Sequence, residues 1–147
     1  MSVYLTSPVE KNTRFYFIWI VALVATLGSL FFSEVMRLPP CVLCWYQRIA
    51  MYPIAVLLAV ALICGETRVF AKYIFTLSVM GLLVAIYHNL LYYGIIPESI
   101  TPCKEGISCT SRQIEWLGFI TIPLMSLAAF GLIVVTLSLE RFRGSKL

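Results

Sequence analysis

The chain contains no aspartate and a single histidine, and its seven acidic residues are all glutamates scattered one at a time. Hydrolytic machinery built on paired carboxylates is therefore excluded as a reading. Charge of either sign is scarce: 12% of the 147 residues are charged, about half the usual share for a globular chain, whereas 61% are hydrophobic. The net charge of +4 is small. With this composition it bears on orientation in a membrane and gives no sign of a nucleic-acid partner. There is no soluble domain, internal repeat or low-complexity tract.

What is there in quantity is apolar sequence. Four runs, about 15–33, 45–65, 70–93 and 116–139, each approach the roughly 20 residues that a spanning helix requires. Lipid leaves no partner for an unpaired backbone, so the runs read as helices. The first is too long for the apolar core of a cleavable signal peptide and has no small-x-small cleavage site. Short linkers make sequential helices antiparallel neighbours. The expected fold is all-α: a polytopic membrane protein, a four-helix antiparallel bundle with short outer loops, forming a single integral membrane domain over 1–147.

Four spans put both termini on one side. That side would carry Lys11, Arg14, Arg68, Lys72, Arg141, Arg143 and Lys146, against Arg37, Arg48, Lys104 and Arg112 on the other. The excess of cations predicts cytoplasmic termini. Cys41, Cys44, Cys103 and Cys109 then share the outer side, where disulfides persist. Cys64 falls alone at the cytoplasmic end of the second helix and reads as small apolar filler.

The segment "PPCVLCWYQR" at 39–48 carries the densest chemistry. Cys41 and Cys44 form a C-x-x-C, and Pro39-Pro40 before it marks a helix start. At a helix N-terminus the dipole and free amides favour a thiolate and speed exchange. The same spacing suits a structural disulfide or half of a metal site. Cys103 and Cys109, separated by five residues within "TPCKEGISCTSR", can close a small loop. They read as a loop staple or as a second redox couple, and four cysteines together could hold zinc. Two couples on one membrane face suggest a relay by thiol–disulfide exchange.

Arg48 lies one helical turn, about 6 Å, below Cys44 on nearly the same face. It would either snorkel to the headgroups or stabilise the Cys44 thiolate and bond a carbonyl oxygen of a lipid-soluble electron acceptor. His88, in "AIYHNLLYY", has a similar depth near the outer end of the third helix. It reads as a proton donor or acceptor for such a group, or as a hydrogen-bonded interfacial side chain. Trp45, Tyr46, Tyr87, Tyr92, Tyr93 and Trp116 fit an interfacial aromatic belt.

These residues and their order resemble the DsbB family of membrane thiol–quinone oxidoreductases, whose short Gram-positive-type members are called BdbC. The pattern P-C-x-L-C-x-x-x-R, the later histidine and the outer-loop cysteine pair carry the resemblance over nearly the whole chain. The resemblance implies that Cys103–Cys109 reoxidises an extracytoplasmic thioredoxin-like thiol oxidase (of the DsbA/BdbD kind), with Cys103 the point of attack. Electrons would pass to Cys41–Cys44 and on to a membrane quinone, menaquinone or ubiquinone. Cys44 would be the quinone-side thiolate, and Arg48 and His88 would lie at the quinone. The implied location is the bacterial cell membrane. Larger members separate their second pair by a long loop bearing a surface-lying helix, which this chain lacks. A vitamin K epoxide reductase-like reading would need the C-x-x-C after the loop cysteines in sequence. Reductant transfer from the cytosol would need a second cysteine beside Cys64. A four-span structural protein with two static outer-loop disulfides is the alternative of a different class.

Overall fold

The computed structural model describes residues 8–97, 109, 115–116 and 120–145. Helix α1 runs Pro8–Leu30, α2 Val42–Cys64, α3 Thr67–Tyr92 and α4 Ile122–Ser145. Four helical segments, Thr13–Val35, Val42–Cys64, Thr67–Tyr92 and Ile122–Glu140, are long and apolar enough to cross a membrane. The chain is an all-α four-span membrane bundle, as its hydropathy predicts. Strands β1, Glu115–Trp116, and β2, Ile120–Thr121, add a two-residue antiparallel ladder just before α4.

The helices close a ring. α1 packs on α2 and α4, and α3 packs on the same two. Phe15, Ile18 and Ala22 of α1 meet Met51, Ile54 and Leu58 of α2, Ile74 and Ala85 of α3, and Phe130, Ile133 and Leu137 of α4 in one core. The outer faces are apolar as well: Val24, Ile49, Val56, Leu83 and Val135 are exposed, and Ile63 is 85% exposed. Such a surface is a liability in water and a match for lipid tails. The α3–α4 seam depends on a missing side chain. A Cβ at Gly81 would collide with the ring of Phe130, which is itself buried. Gly81→Ala is therefore expected to destabilise the bundle by about 1–3 kcal/mol, read as a lowered thermal midpoint in detergent. An unchanged midpoint would refute this account of the seam.

Helix ends set the loops. α1 finishes in a π-helical turn, Phe31–Val35, where Met36 N–H bonds the Phe31 carbonyl at 3.1 Å. Ser33 Oγ turns back to the Ser29 and Leu30 carbonyls, an alternative to the regular ladder. Arg37 then takes a left-handed conformation, φ 52°, and Leu38 N–H bonds the Phe32 carbonyl. Gly65, φ 72°, caps α2 and sends the chain into α3 after one more residue, Glu66. Gly94 closes α3 in a Schellman motif: Ile95 N–H bonds the Leu90 carbonyl at 2.9 Å and Gly94 N–H bonds that of Leu91 at 3.0 Å.

Several boundaries differ from the hydropathy reading, two of them for local reasons. α2 starts three residues earlier than 45, because Cys41 serves as its N-cap. The fourth helix does not begin at 116. Residues 115–116 pair with 120–121, and the helix starts at Ile122. Thr121 Oγ1 accepts from Leu124 N–H at 3.4 Å, an N-cap at its usual reach. Pro123 sits in the first turn, where its missing N–H costs nothing.

Candidate redox site at the outer end of α2 and α3

The C-x-x-C lies at the tip of α2. Cys41 is extended, φ −71° and ψ 169°, and its carbonyl accepts the first helical bond from Trp45 N–H. Its Sγ accepts from the backbone N–H of Cys44 at 3.4 Å and lies 2.9 Å from Cys44 Sγ. Both thiols are free, as is exposed Cys64, which stands apart at the far end of α2. The Cys44 thiol beside it holds the Cys41 thiol well below its ordinary range, with His88 assisting and burial opposing.

The structure brings one of the loop cysteines to the dithiol. Cys109 is disulfide-bonded and only 4% exposed, packed in a cluster with Cys41, Leu43 and Leu91. Cys103 lies outside the described residues, as do Lys104 and Arg112. His88 is the hinge between the two sulfurs. It is 2% exposed, and its Nε2 stands 3.8 Å from Cys41 Sγ and 3.3 Å from the carbonyl oxygen of Cys109. A carbonyl can only accept, so Nε2 carries the proton. Nδ1 then presents a lone pair, which accepts from the amide of Gln47 at 3.3 Å.

Beside Cys44 lies a cavity of about 390 Å³ lined mainly by α1, α2 and α4. Its wall is mostly apolar, with Cys44, Gln47, Arg48 and Tyr52 supplying polar atoms from α2 and Ser29 from α1. Val24 and Met125 belong both to this wall and to the exposed outer face. Arg48 donates from Nη2 to the Ser29 carbonyl at 2.8 Å, and its guanidinium lies 5.6 Å from the Trp45 ring centroid. Arg48 Nε and the Tyr52 hydroxyl are buried with no hydrogen-bond partner among the described residues. Buried donors without partners are costly, and these two belong to a cavity wall.

The anticipated residues therefore fall into two groups. Cys44 and Arg48 share the cavity, and Cys44 packs against the sulfur cluster as well. Cys41, His88 and Cys109 share the sulfur side, and His88 does not line the cavity; it communicates with it through Gln47. Gln47 and Asn89 were not singled out from sequence. Gln47 is buried, bonds His88 and lines the cavity. Buried Asn89 donates to the carbonyls of Ala85 and Pro123, tying α3 to the start of α4. An amide inside a spanning helix is itself a signal, since lipid-embedded polar groups need a protein partner.

Taken together, the helices and the site define a polytopic membrane protein with a thiol redox centre set between a loop disulfide and an apolar cavity. The model of the family described as Disulfide bond formation protein DsbB matches residues 11–139, and this chain belongs to that family. Disulfide bond formation protein C of Bacillus subtilis (strain 168) is 45% identical over 131 residues, covering 89% of this chain and 93% of that protein. A probable disulfide formation protein of Metapseudomonas resinovorans is 42% identical over 126 residues, 85% of this chain and 87% of its own. One from Deinococcus radiodurans is 41% identical over 143 residues, 91% and 92% respectively. No solved structure matches the chain.

Proposed function

We propose that this chain is an oxidoreductase of disulfide bond formation in a bacterial cell membrane, passing electrons from thiols to a membrane quinone. It would work as one integral membrane domain with cytoplasmic termini and both cysteine couples outside. The observation that carries the reading is the position of the dithiol: Cys41 faces the buried loop cysteine, and Cys44 faces the cavity.

The relay balances by successive exchange. A thiolate of a reduced extracytoplasmic thioredoxin-like oxidase attacks the Cys103–Cys109 disulfide, at Cys103. The partner's second thiol then closes its own disulfide and leaves the loop pair as a dithiol. A loop thiolate next attacks the Cys41–Cys44 disulfide, and the loop bond re-forms as Cys41 and Cys44 are reduced. Reoxidation of that dithiol releases two electrons and two protons as Cys41 Sγ bonds Cys44 Sγ.

A quinone supplies the acceptor of those two electrons and protons when bound. The cavity fits such a group. Its volume lies in the range of small-molecule sites, and its wall is apolar with a few convergent polar groups. Arg48 and Tyr52 each carry a buried donor in want of an acceptor. Arg48, Tyr52 and Gln47 would hold the group. Val24 and Met125 mark a lateral approach from lipid. Menaquinone and ubiquinone both meet this description.

Thiol trapping in membranes separates this reading from a protein with static disulfides. On quinone depletion, Cys41 and Cys44 are expected to become fully alkylatable, and on quinone addition to be protected within the turnover time. Cysteines whose state ignores quinone would sink the proposal.

A further inference from the structure

Cys41 Sγ, Cys44 Sγ and His88 Nε2 all lie within 4.8 Å of one another at the tip of α2, Cys41 and His88 buried and Cys44 partly so. We propose that the reduced dithiol and His88 form a binding site for a borderline-soft divalent cation of the zinc type, which holds the protein in its reduced state. The site is the sulfur side of the centre described above. Binding itself requires no quinone reaction, whereas the inhibition it predicts rests on the proposed relay.

The donor set is right for zinc, which takes thiolate sulfur at about 2.3 Å and imidazole nitrogen at about 2.0 Å in a tetrahedron. Those bonds would put sulfur and nitrogen about 3.6 Å apart; Cys41 Sγ and His88 Nε2 are 3.8 Å apart. The two sulfurs, 2.9 Å apart, would open to about 3.8 Å, a small χ1 rotation of either cysteine. Nε2 also faces the Cys109 carbonyl at 3.3 Å, which places an oxygen beside the fourth position.

Charge favours occupancy. Both thiols lose their protons on binding, so two thiolates cancel the dication and the buried complex is neutral, avoiding the penalty of an unpaired buried charge. The surroundings are also prepared. A metal on Nε2 displaces the proton there and moves it to Nδ1, which then needs an acceptor. Gln47 is at 3.3 Å from Nδ1, and rotating its amide offers Oε1 in place of the NH₂ group. A ligand histidine anchored by a partner on its other nitrogen is the usual arrangement at zinc sites. Binding is redox-gated, because a Cys41–Cys44 disulfide removes both thiolates. The bound ion in turn blocks closure of that disulfide.

The test uses the full chain in detergent with Cys64, Cys103 and Cys109 replaced by serine, so that only the site cysteines remain. Cobalt(II) is titrated into the reduced protein and displaced with zinc(II). Thiolate-to-cobalt charge-transfer and tetrahedral ligand-field absorption should saturate at about one equivalent. It should vanish when Cys41–Cys44 is oxidised. Gln47→Leu should weaken binding about 10–100-fold, and His88→Gln at least as much. In the otherwise unsubstituted protein, zinc should inhibit quinone-dependent oxidation, with EDTA restoring it. Absence of the cobalt spectrum from the reduced protein overturns the site, as does a spectrum indifferent to oxidation, or to both His88→Gln and Gln47→Leu. Cobalt binding without inhibition would keep the site and overturn the proposed hold on the relay.

Discussion

Cys44→Ser is expected to bring quinone-dependent oxidation of a reduced thioredoxin-like partner down to background, a loss of at least about 10³-fold. The reason is positional. Of the cysteines among the described residues, Cys44 alone lines the cavity, whereas Cys41 is turned toward His88 and the cluster that holds Cys109. Removing Cys44 cuts the only sulfur contact between the dithiol and the acceptor side. It leaves the Cys41 thiol free to attack the loop disulfide, so the variant should accumulate a disulfide between Cys41 and one loop cysteine, with the other loop cysteine released as a thiol. Cys41→Ser should lose turnover as completely and accumulate no such species. Non-reducing peptide mass spectrometry on the two variants, beside stopped-flow quinone reduction, distinguishes them. Ordinary turnover in Cys44→Ser, or an equal accumulation of a Cys44–loop disulfide in Cys41→Ser, would end the assignment of separate roles to the two sulfurs.

That division of labour is the part of the site the sequence could not display. The four spans are legible because lipid imposes one requirement, a long apolar helix, on every segment that crosses it. The start of α2 is legible for a similarly local reason: Pro39 and Pro40 end the preceding structure, and Cys41 can cap the helix that begins at Val42. The start of α4 is less so, since hydropathy runs straight through Trp116 and does not register the Thr121 cap or the ladder before it. The depth of His88 comes from counting residues along α3. Its azimuth does not, because the rotation of α3 about its axis is decided by packing, Gly81 under Phe130 among other contacts. So His88 can be expected near Arg48 in height and yet face the opposite side of Cys44. Gln47 is legible only as a polar residue in an apolar helix. Its value depends on His88, 41 residues later in sequence. The resemblance to the DsbB family carried the chemical roles, and the geometry divides them between two faces.

Arg48→Ala is expected to raise the apparent quinone KM about 10- to 100-fold, the loss of a hydrogen bond to a charged donor being worth about 1.5–3 kcal/mol. A snorkelling arginine would predict otherwise, but Arg48 does not reach away from the bundle. Its Nη2 is spent on the Ser29 carbonyl at 2.8 Å, which fixes the guanidinium against α1, and its Nε is left buried without a partner among the described residues. A group that offers a carbonyl oxygen to this face relieves a standing desolvation cost, so the interaction appears in binding. Arg48→Lys keeps the charge but loses the planar fork that can bond Ser29 and a ligand at once; it should recover only part of the lost affinity. Tyr52→Phe, removing the other orphaned donor on the wall, should raise KM by a smaller factor and leave the thermal midpoint unchanged. Because Arg48 also ties α1 to α2, a purely structural role would lower the midpoint and kcat together while leaving KM alone. Steady-state kinetics over a quinone titration, with a thermal melt of each variant, decides between the two outcomes. An unchanged KM in Arg48→Ala would remove the arginine from the acceptor site.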